Sequence, residues 1–184
     1  RWDAWVWGDD SGVATASLQD RGLRTGPIVS ELNGWTSSLP DHRQRLLEHQ
    51  ERYRPRVAVF IIDPLEWTTE EVDGAEVLLP ANQEHAKLMV EVASRQVANG
   101  DFWLVKAAPR APFWQGETWD RLRELPPTLE QHQITDECCH DLRCPDSGRP
   151  MRNRIQMDGN LPLTWRFTRT CKGHGRVDHQ QIKG

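Results

Sequence analysis

The residues with the clearest chemical potential are one cysteine and two histidines near the end of the chain. They follow a C-x2-H-x4-H pattern at Cys171, His174 and His179. Thiolate and imidazole groups at such spacings are typical zinc ligands, and a fourth ligand from the other cysteines completes a tetrahedral site. We predict Cys138 as that ligand. The alternative is unpaired cysteines and surface histidines, because the first half of the motif has no cysteine pair at the usual spacing.

The turn after the first hydrophobic segment is a candidate ligand site. Residues 8–12, GDDSG, precede a predicted helix, and the N–H groups at a helix N-terminus suit a nucleotide-like ligand. Glu31, after the second predicted strand, is the candidate carboxylate for a ribose. An ordinary turn explains the same residues, since two adjacent carboxylates repel a phosphate. The candidate cofactor-binding residues in this turn are Gly8, Asp9, Asp10 and Gly12.

A third candidate lies at the end of the most hydrophobic segment, residues 56–68, RVAVFIIDPLEWT. Its continuous apolar run is typical of a strand buried on both faces, so we predict that it is the central strand. Ligands of open α/β sheets bind beyond the carboxyl ends of such strands. Asp63 and Glu66 are therefore candidates for metal binding or acid–base chemistry, with solvated loop carboxylates as the alternative.

Alternating strands and helices must position these residues. The pattern predicts an α/β fold with a mostly parallel sheet, and weak alternation in the tail predicts an antiparallel hairpin from residues 154–157 and 163–167. In the first helix, Val13, Ala14, Ala16 and Leu18 are the expected core positions. Residues 69–80 fit no regular pattern. The predicted strands are 2–7, 27–31, 57–62, 102–105 and 129–135, and the predicted helices are 13–21, 41–53, 83–98 and 118–125.

Length and composition narrow the class of protein. A chain of 184 residues predicts one domain, residues 1–184, with an irregular tail, 136–184, that a zinc ion would staple. No apolar run is long enough to cross a membrane. Nine tryptophans spread along the chain favour packing or interface use. The chain begins with Arg1 and shows no signal peptide, which leaves the compartment open.

Charge is unevenly distributed along the chain. The overall net charge is -4, whereas the segment from Cys138 onward has nine basic and four acidic residues, a net charge of +5. The remainder therefore carries -9. A basic final third indicates either contact with nucleic acid or an acidic partner, or else a solvated basic surface.

The order of these segments resembles that of class I S-adenosylmethionine-dependent methyltransferases. The closest resemblance is to the cytosine-C5-methyltransferase-like domains of retroelement polyproteins from unicellular eukaryotes. Residues 5–23, WVWGDDSGVATASLQDRGL, resemble that family's first strand, cofactor turn and helix. Residues 30–68 and 99–114 are similar to the next segments, and residues 136–154 and 171–184 resemble the tail. The resemblance implies a Rossmann-like fold with helices on both faces of the sheet.

The chain departs from the family where the resemblance places catalysis. Leu65 stands at the position of the nucleophilic cysteine, and Lys106 at that of the glutamate that assists at the ring nitrogen. Without a thiolate no covalent adduct with the base can form. Asp63 falls beside the expected cofactor. The family's ribose-binding acid falls at about Ser30, one residue before Glu31.

These departures lead to three hypotheses. The first is a non-catalytic methyltransferase-like domain, a pseudoenzyme that serves as a scaffold or interaction subunit of a larger protein assembly. In that case S-adenosylmethionine is not expected as a cofactor, and structural zinc is the candidate metal. The second is an active methyltransferase acting on nucleic acid or protein through Asp63 and Trp67. The third is a nucleic-acid-binding remnant of a retroelement protein that uses the basic tail.

Overall fold

A five-stranded mixed sheet lies at the centre of the computed structural model. The structure describes residues 1–62, 69–72, 75–78, 80–126, 129–137, 143, 147–151, 153–162, 169–174 and 179. The strand order is β1-β2-β5-β7-β6. Strands β1, β2 and β5 run parallel to one another, β7 runs antiparallel to β5, and β6 runs antiparallel to β7. The strands are β1 (Ala4–Trp7), β2 (Val57–Ile61), β3 (Thr69–Val72), β4 (Ala75–Leu78), β5 (Phe102–Ala107), β6 (Leu129–Asp136) and β7 (Arg154–Gly159).

Four α-helices pack around this sheet. Helix α3 contacts both β2 and β5 and also touches α2 and α4, whereas α1 contacts β1. Two buried glutamines hold α3 against α2 and the residues that follow it. The Gln50 amide of α2 donates to the Val92 carbonyl at 2.8 Å, and the Gln96 amide of α3 donates to the Pro55 carbonyl, just after α2, at 2.9 Å. The helices are α1 (Val13–Asp20), α2 (Pro40–Tyr53), α3 (Pro80–Ala98) and α4 (Glu117–Arg123).

The core lies on one face of the three parallel strands and is rich in tryptophan. Strand alternation places Trp5, Trp7 and Trp103 on this face, and all three are at most 1% exposed. The rings of Trp103 and Trp119 lie 6.5 Å apart, which joins α4 to the sheet. The tryptophans of the described residues therefore serve packing, as their spread along the sequence predicted.

The α/β class and the Rossmann-like arrangement are confirmed, and several details differ from prediction. Strand β2 is interior, but β5 is the middle strand of the five. The predicted strand 27–31 contributes a single bridge, Val29 to Trp7, because Pro27 lacks an N–H group and residues 31–33 turn into a 3-10 helix. Residues 69–72 and 75–78, within a segment that fits no regular pattern in the sequence, form the antiparallel pair β3 and β4.

Two further predictions differ from the folded chain. Val13 is predicted in the core but is 66% exposed, and Thr15 is the buried residue of α1, because hydrogen bonds at the start of this short helix set its rotation. Residues 154–157 do lie in an antiparallel strand, and its partners are β5 and β6; residues 163–167 lie outside the described residues. None of the helices in the described ranges combines the length and hydrophobicity needed to cross a bilayer.

Candidate functional site

The register of the parallel strands brings one row of residues to the carboxyl edge of the sheet. Trp7 pairs with Phe60 and Phe60 with Val105, so the next positions, Gly8 and Lys106, fall on either side of Ile61. The predicted cofactor turn and the predicted catalytic position thus lie at the same edge of the sheet, at the ends of β1 and β5, with β2 between them. Leu65 and Asp63, which follow β2, lie outside the described residues.

Gly8 permits a close approach of two backbone segments at this edge. Its φ is +74°, and a Cβ atom built there would lie 2.1 Å from the Ile61 carbonyl oxygen. Its N–H group donates to the Val29 carbonyl at 2.8 Å. The turn after β1 is therefore fixed against both neighbouring segments, and only glycine satisfies both the angle and the space.

Asp9 caps the helix that follows the turn. Its buried carboxylate accepts hydrogen bonds from the N–H groups of Ala14 and Thr15 at 3.3 and 2.7 Å, and Gly12, with φ of +69°, is the N-cap residue. Ser11 is also of a residue type that caps helices, but its hydroxyl makes longer contacts, accepting from the Val13 N–H at 3.4 Å and donating to Asp9 Oδ1 at 3.5 Å. The amides that would receive an anionic ligand are thus already bonded to a carboxylate.

Asp10 and Glu31 are two more acidic residues predicted to bind the cofactor, and their surroundings differ from those of Asp9. One carboxylate oxygen of Asp10, Oδ1, is buried with no hydrogen-bond partner among the described residues. Glu31 is exposed in the 3-10 helix that follows Val29, while the preceding Ser30 is buried and accepts a hydrogen bond from the Asn33 amide at 2.8 Å. Of the two acids in this turn, Asp9 is therefore committed to the helix and Asp10 is not.

This contrast predicts opposite effects for two neighbouring substitutions. Asp9→Ala is expected to destabilise the protein by about 1–2 kcal/mol, because it removes the acceptor of two α1 amides. Asp10→Ala is expected to leave stability unchanged or raise it, because an unsatisfied buried oxygen is removed. Urea unfolding of both variants measures the difference. A loss for Asp10→Ala as large as that for Asp9→Ala would contradict this assignment.

Lys106 forms an ion pair with a residue distant in sequence. Its ammonium group lies 2.5 Å from Oε1 of Glu137, directly after β6, and both side chains are partly buried. The amide of Asn153 donates to the other oxygen of Glu137 at 2.6 Å. The lysine at the end of β5 is therefore part of a partly buried polar contact that joins three strands.

His85 lies above the end of β1. Its ring contacts that of Trp7, with 6.3 Å between centroids, and it belongs to the second turn of α3. Burial lowers the pKa of His85 to about 4, because desolvation disfavours the charged imidazolium. The histidine is neutral at physiological pH and is not available there as a cation.

Three of the four predicted metal ligands come together in the tail. Sγ of Cys171 lies 3.4 Å from Nε2 of His174 and 3.3 Å from Nε2 of His179. The two imidazole rings are 4.9 Å apart, and all three side chains are partly buried. Cys138, the predicted fourth ligand, lies outside the described residues.

The cluster is fastened to the end of β6. Asp136 is fully buried, and its carboxylate accepts a hydrogen bond from the backbone N–H of Cys171 at 2.8 Å. Arg154 of β7 donates two hydrogen bonds to the same carboxylate, at 2.9 and 3.1 Å. These hydrogen bonds to Asp136 raise the pKa of Arg154. Because Asp136 ends β6, Arg154 belongs to β7 and Cys171 belongs to the tail, this one carboxylate joins two strands to the tail.

Sequence reasoning missed Glu137, Asn153, Asp136 and Arg154. Each acts through a partner on another element, and no local pattern marks a contact across 16 to 35 residues. Their only signal was placement next to predicted strand ends in the tail.

The fold and the position of the site define a class of protein. The parallel strands, the glycine turn after β1 and the antiparallel pair at the sheet edge form a Rossmann-like, methyltransferase-like fold. Among solved structures, the chain is similar to the S. pombe Dnmt2 methyltransferase, with a TM-score of 0.58 and 9% sequence identity. The match covers 97% of this chain and 59% of that one, so the chain spans less than two thirds of the similar structure.

Sequence comparison adds nothing to this likeness. No family model matches the chain, and no curated protein matches it. The similarity is therefore one of fold.

Proposed function

We propose that the chain is a non-catalytic methyltransferase-like domain that acts as a scaffold or interaction subunit of a larger assembly. The observation that carries this proposal is the ion pair of Lys106 with Glu137. The resemblance to cytosine-C5 methyltransferases places a glutamate at position 106 and a cysteine at position 65. Here position 106 holds a cation committed to a structural contact, and position 65 holds a hydrocarbon without a nucleophile.

The cofactor turn supports the same proposal. In the family that the sequence resembles, small residues after the first strand let the cofactor approach the backbone. In this chain the carboxylate of Asp9 fills that place and is bonded to the first amides of α1. An incoming ligand must displace this carboxylate and break two hydrogen bonds, one of them buried, at a cost of about 1–2 kcal/mol in the cap alone.

An incompletely covered face of the sheet suits an interaction role. Residues of β2 and β5 alternate between buried and partly exposed positions. The partly exposed row includes Val59, Ile61 and Leu104, whereas Ala58 and Phe60 are at most 1% exposed. A protein partner that covers this apolar row would bury surface that the isolated chain leaves in contact with water.

The proposed origin is a retroelement methyltransferase-like domain, as the tail resemblance suggests.

Calorimetry and methyl transfer test this proposal. We expect no heat of binding with S-adenosylmethionine at millimolar concentration, and no transfer of labelled methyl groups to cytosine in DNA or RNA. The reason is that structural contacts occupy the cofactor turn and hold Lys106 at the strand end. An active cytosine-C5 methyltransferase assayed in parallel is the positive control.

The opposite results identify the alternative. Methyl incorporation that disappears in Asp63→Ala, with the variant still folded by circular dichroism, would overturn the proposal and establish an active enzyme. Cofactor binding without transfer would contradict the part of the proposal that concerns the turn.

A further inference from the structure

We propose that Cys171, His174 and His179 bind one zinc ion, which fastens the tail to the outer edge of β6. Zinc bonds of about 2.3 Å to sulfur and about 2.0–2.1 Å to nitrogen, at tetrahedral angles, require sulfur–nitrogen separations of about 3.5 Å. The two separations in this cluster are 3.4 and 3.3 Å. Both sulfur–nitrogen separations therefore match the edges of a tetrahedral zinc site, and all three ligand atoms lie within 4.8 Å of one another.

Hydrogen bonds among the three side chains explain the closeness of their ligand atoms less well than a shared metal ion does. Both histidines direct Nε2 at the same sulfur, and a thiol has a single hydrogen to donate. At most one imidazole can accept it, and the other would have to donate its own N–H to a sulfur that already accepts from the Gly173 N–H. A shared cation satisfies all three atoms at once.

The backbone around Cys171 is shaped to support a thiolate. The N–H group of Gly173 points at the sulfur, with a nitrogen–sulfur distance of 3.3 Å, and donors of this kind stabilise negative charge on a ligand. Gly173 has a φ of +102°, which returns the chain so that His174 faces the cysteine. Zinc binds the thiolate, so binding releases the thiol proton to solvent and involves no redox step.

Contacts outside the cluster hold it against the sheet. The N–H group of Asp136 donates to the Arg169 carbonyl at 2.7 Å, and the carboxylate of Asp136 receives the Cys171 N–H. Strand β6 is the last strand of the sheet, and Arg169 adds to its open side. A metal-closed loop here would cover the end of an edge strand. Asp136 is thus a positioning residue.

The ligand types indicate zinc rather than a harder ion. One thiolate and two imidazoles suit zinc, whereas calcium and magnesium select oxygen ligands. Cys138, predicted from the sequence as the fourth ligand, comes two residues after Asp136 in the chain.

Metal analysis of the purified full chain tests the site directly. After dialysis against metal-free buffer we expect about one equivalent of zinc in the wild type and less than about 0.2 equivalents in Cys171→Ser and His179→Gln. His42→Gln, which changes a partly buried histidine of α2, is the matched control and should keep its zinc. Less than about 0.2 equivalents in wild type refolded with zinc, or a full equivalent in Cys171→Ser, would overturn the proposal.

Three further measurements test the site, and the first two use the wild type, so they cover the case in which a variant does not fold. Cobalt substituted into the wild type should show the charge-transfer absorption of a cobalt–thiolate bond, and its absence would count against the site. Trypsin should cut after Lys172 only slowly in the zinc-loaded protein and at least about tenfold faster after chelation, because the loop is then held by hydrogen bonds alone. Asp136→Asn should weaken zinc affinity by about 10–100-fold at unchanged stoichiometry. Cleavage rates indifferent to the chelator would show that no metal holds the loop.

Discussion

Alanine in place of Gly8 is expected to destabilise the protein by about 2–5 kcal/mol, the sum of two costs. A residue with a Cβ atom pays about 1–2 kcal/mol for the left-handed conformation that φ of +74° requires. The added carbon would also lie 2.1 Å from the Ile61 carbonyl oxygen, and forcing atoms into a packed site costs about 1–3 kcal/mol more. Chemical unfolding of Gly8→Ala measures this sum.

A second glycine separates the two costs. Gly22 has a similar φ of +78°, but a Cβ atom added there would meet nothing within 4 Å. Gly22→Ala should therefore lose only the conformational part, about 1–2 kcal/mol. Equal losses for the two variants would mean that β1 and β2 do not approach this closely, and the position of the candidate cofactor turn would have to be revised.

Acid is expected to destabilise this protein through His85 by up to about 3 kcal/mol. The pKa of this histidine is about 4 in the folded chain and 6.5 for a free side chain. Below pH 6.5 the unfolded chain binds a proton that the folded chain excludes until about pH 4. Stability is therefore lost as the pH falls through this window, and the loss is complete below it.

The substitution His85→Gln removes this titration and should flatten the pH dependence. Urea unfolding of wild type and variant between neutral pH and about pH 4 gives the comparison, and carboxylates that titrate in both proteins cancel. Parallel curves for wild type and His85→Gln would show that the ring of His85 is solvated in the folded state. Because His85 packs on Trp7, the same titration should loosen the carboxyl edge of the sheet.

The long helices and the buried strands were predictable because their signals are local. The apolar spacing in residues 83–98 and the proline before residue 41 marked α3 and α2 to within a few residues. The apolar run of 57–62 gave β2. The hairpin of β3 and β4 was missed, although Asp73 and Gly74 between its strands are of the types that favour a tight turn, because its acidic residues hid the strand pattern.

The candidate site divides in the same way. The grouping of Cys171, His174 and His179 was predictable, since eight residues are enough to bring the three side chains together. The capping role of Asp9 was not, because Ser11 is equally suited by type and only the turn geometry distinguishes them. The partner of Lys106 lies 31 residues away, a distance over which no sequence period operates.

The sequence by itself determined the α/β class, the order of the four α-helices and of strands β1, β2, β5 and β6, the spacing of the tail ligands and the residue types at positions 65 and 106. These properties depend on the spacing of hydrophobic residues, on the residue types in turns and on which residue stands at a given position, all of which are local features of the sequence. The tertiary structure alone decided that Lys106 forms an ion pair with Glu137, that the Asp9 carboxylate accepts hydrogen bonds from α1 amides and that the Asp136 carboxylate accepts one from the Cys171 N–H. Such contacts depend on strand register and on which elements become neighbours, and these follow from packing the whole chain around one core.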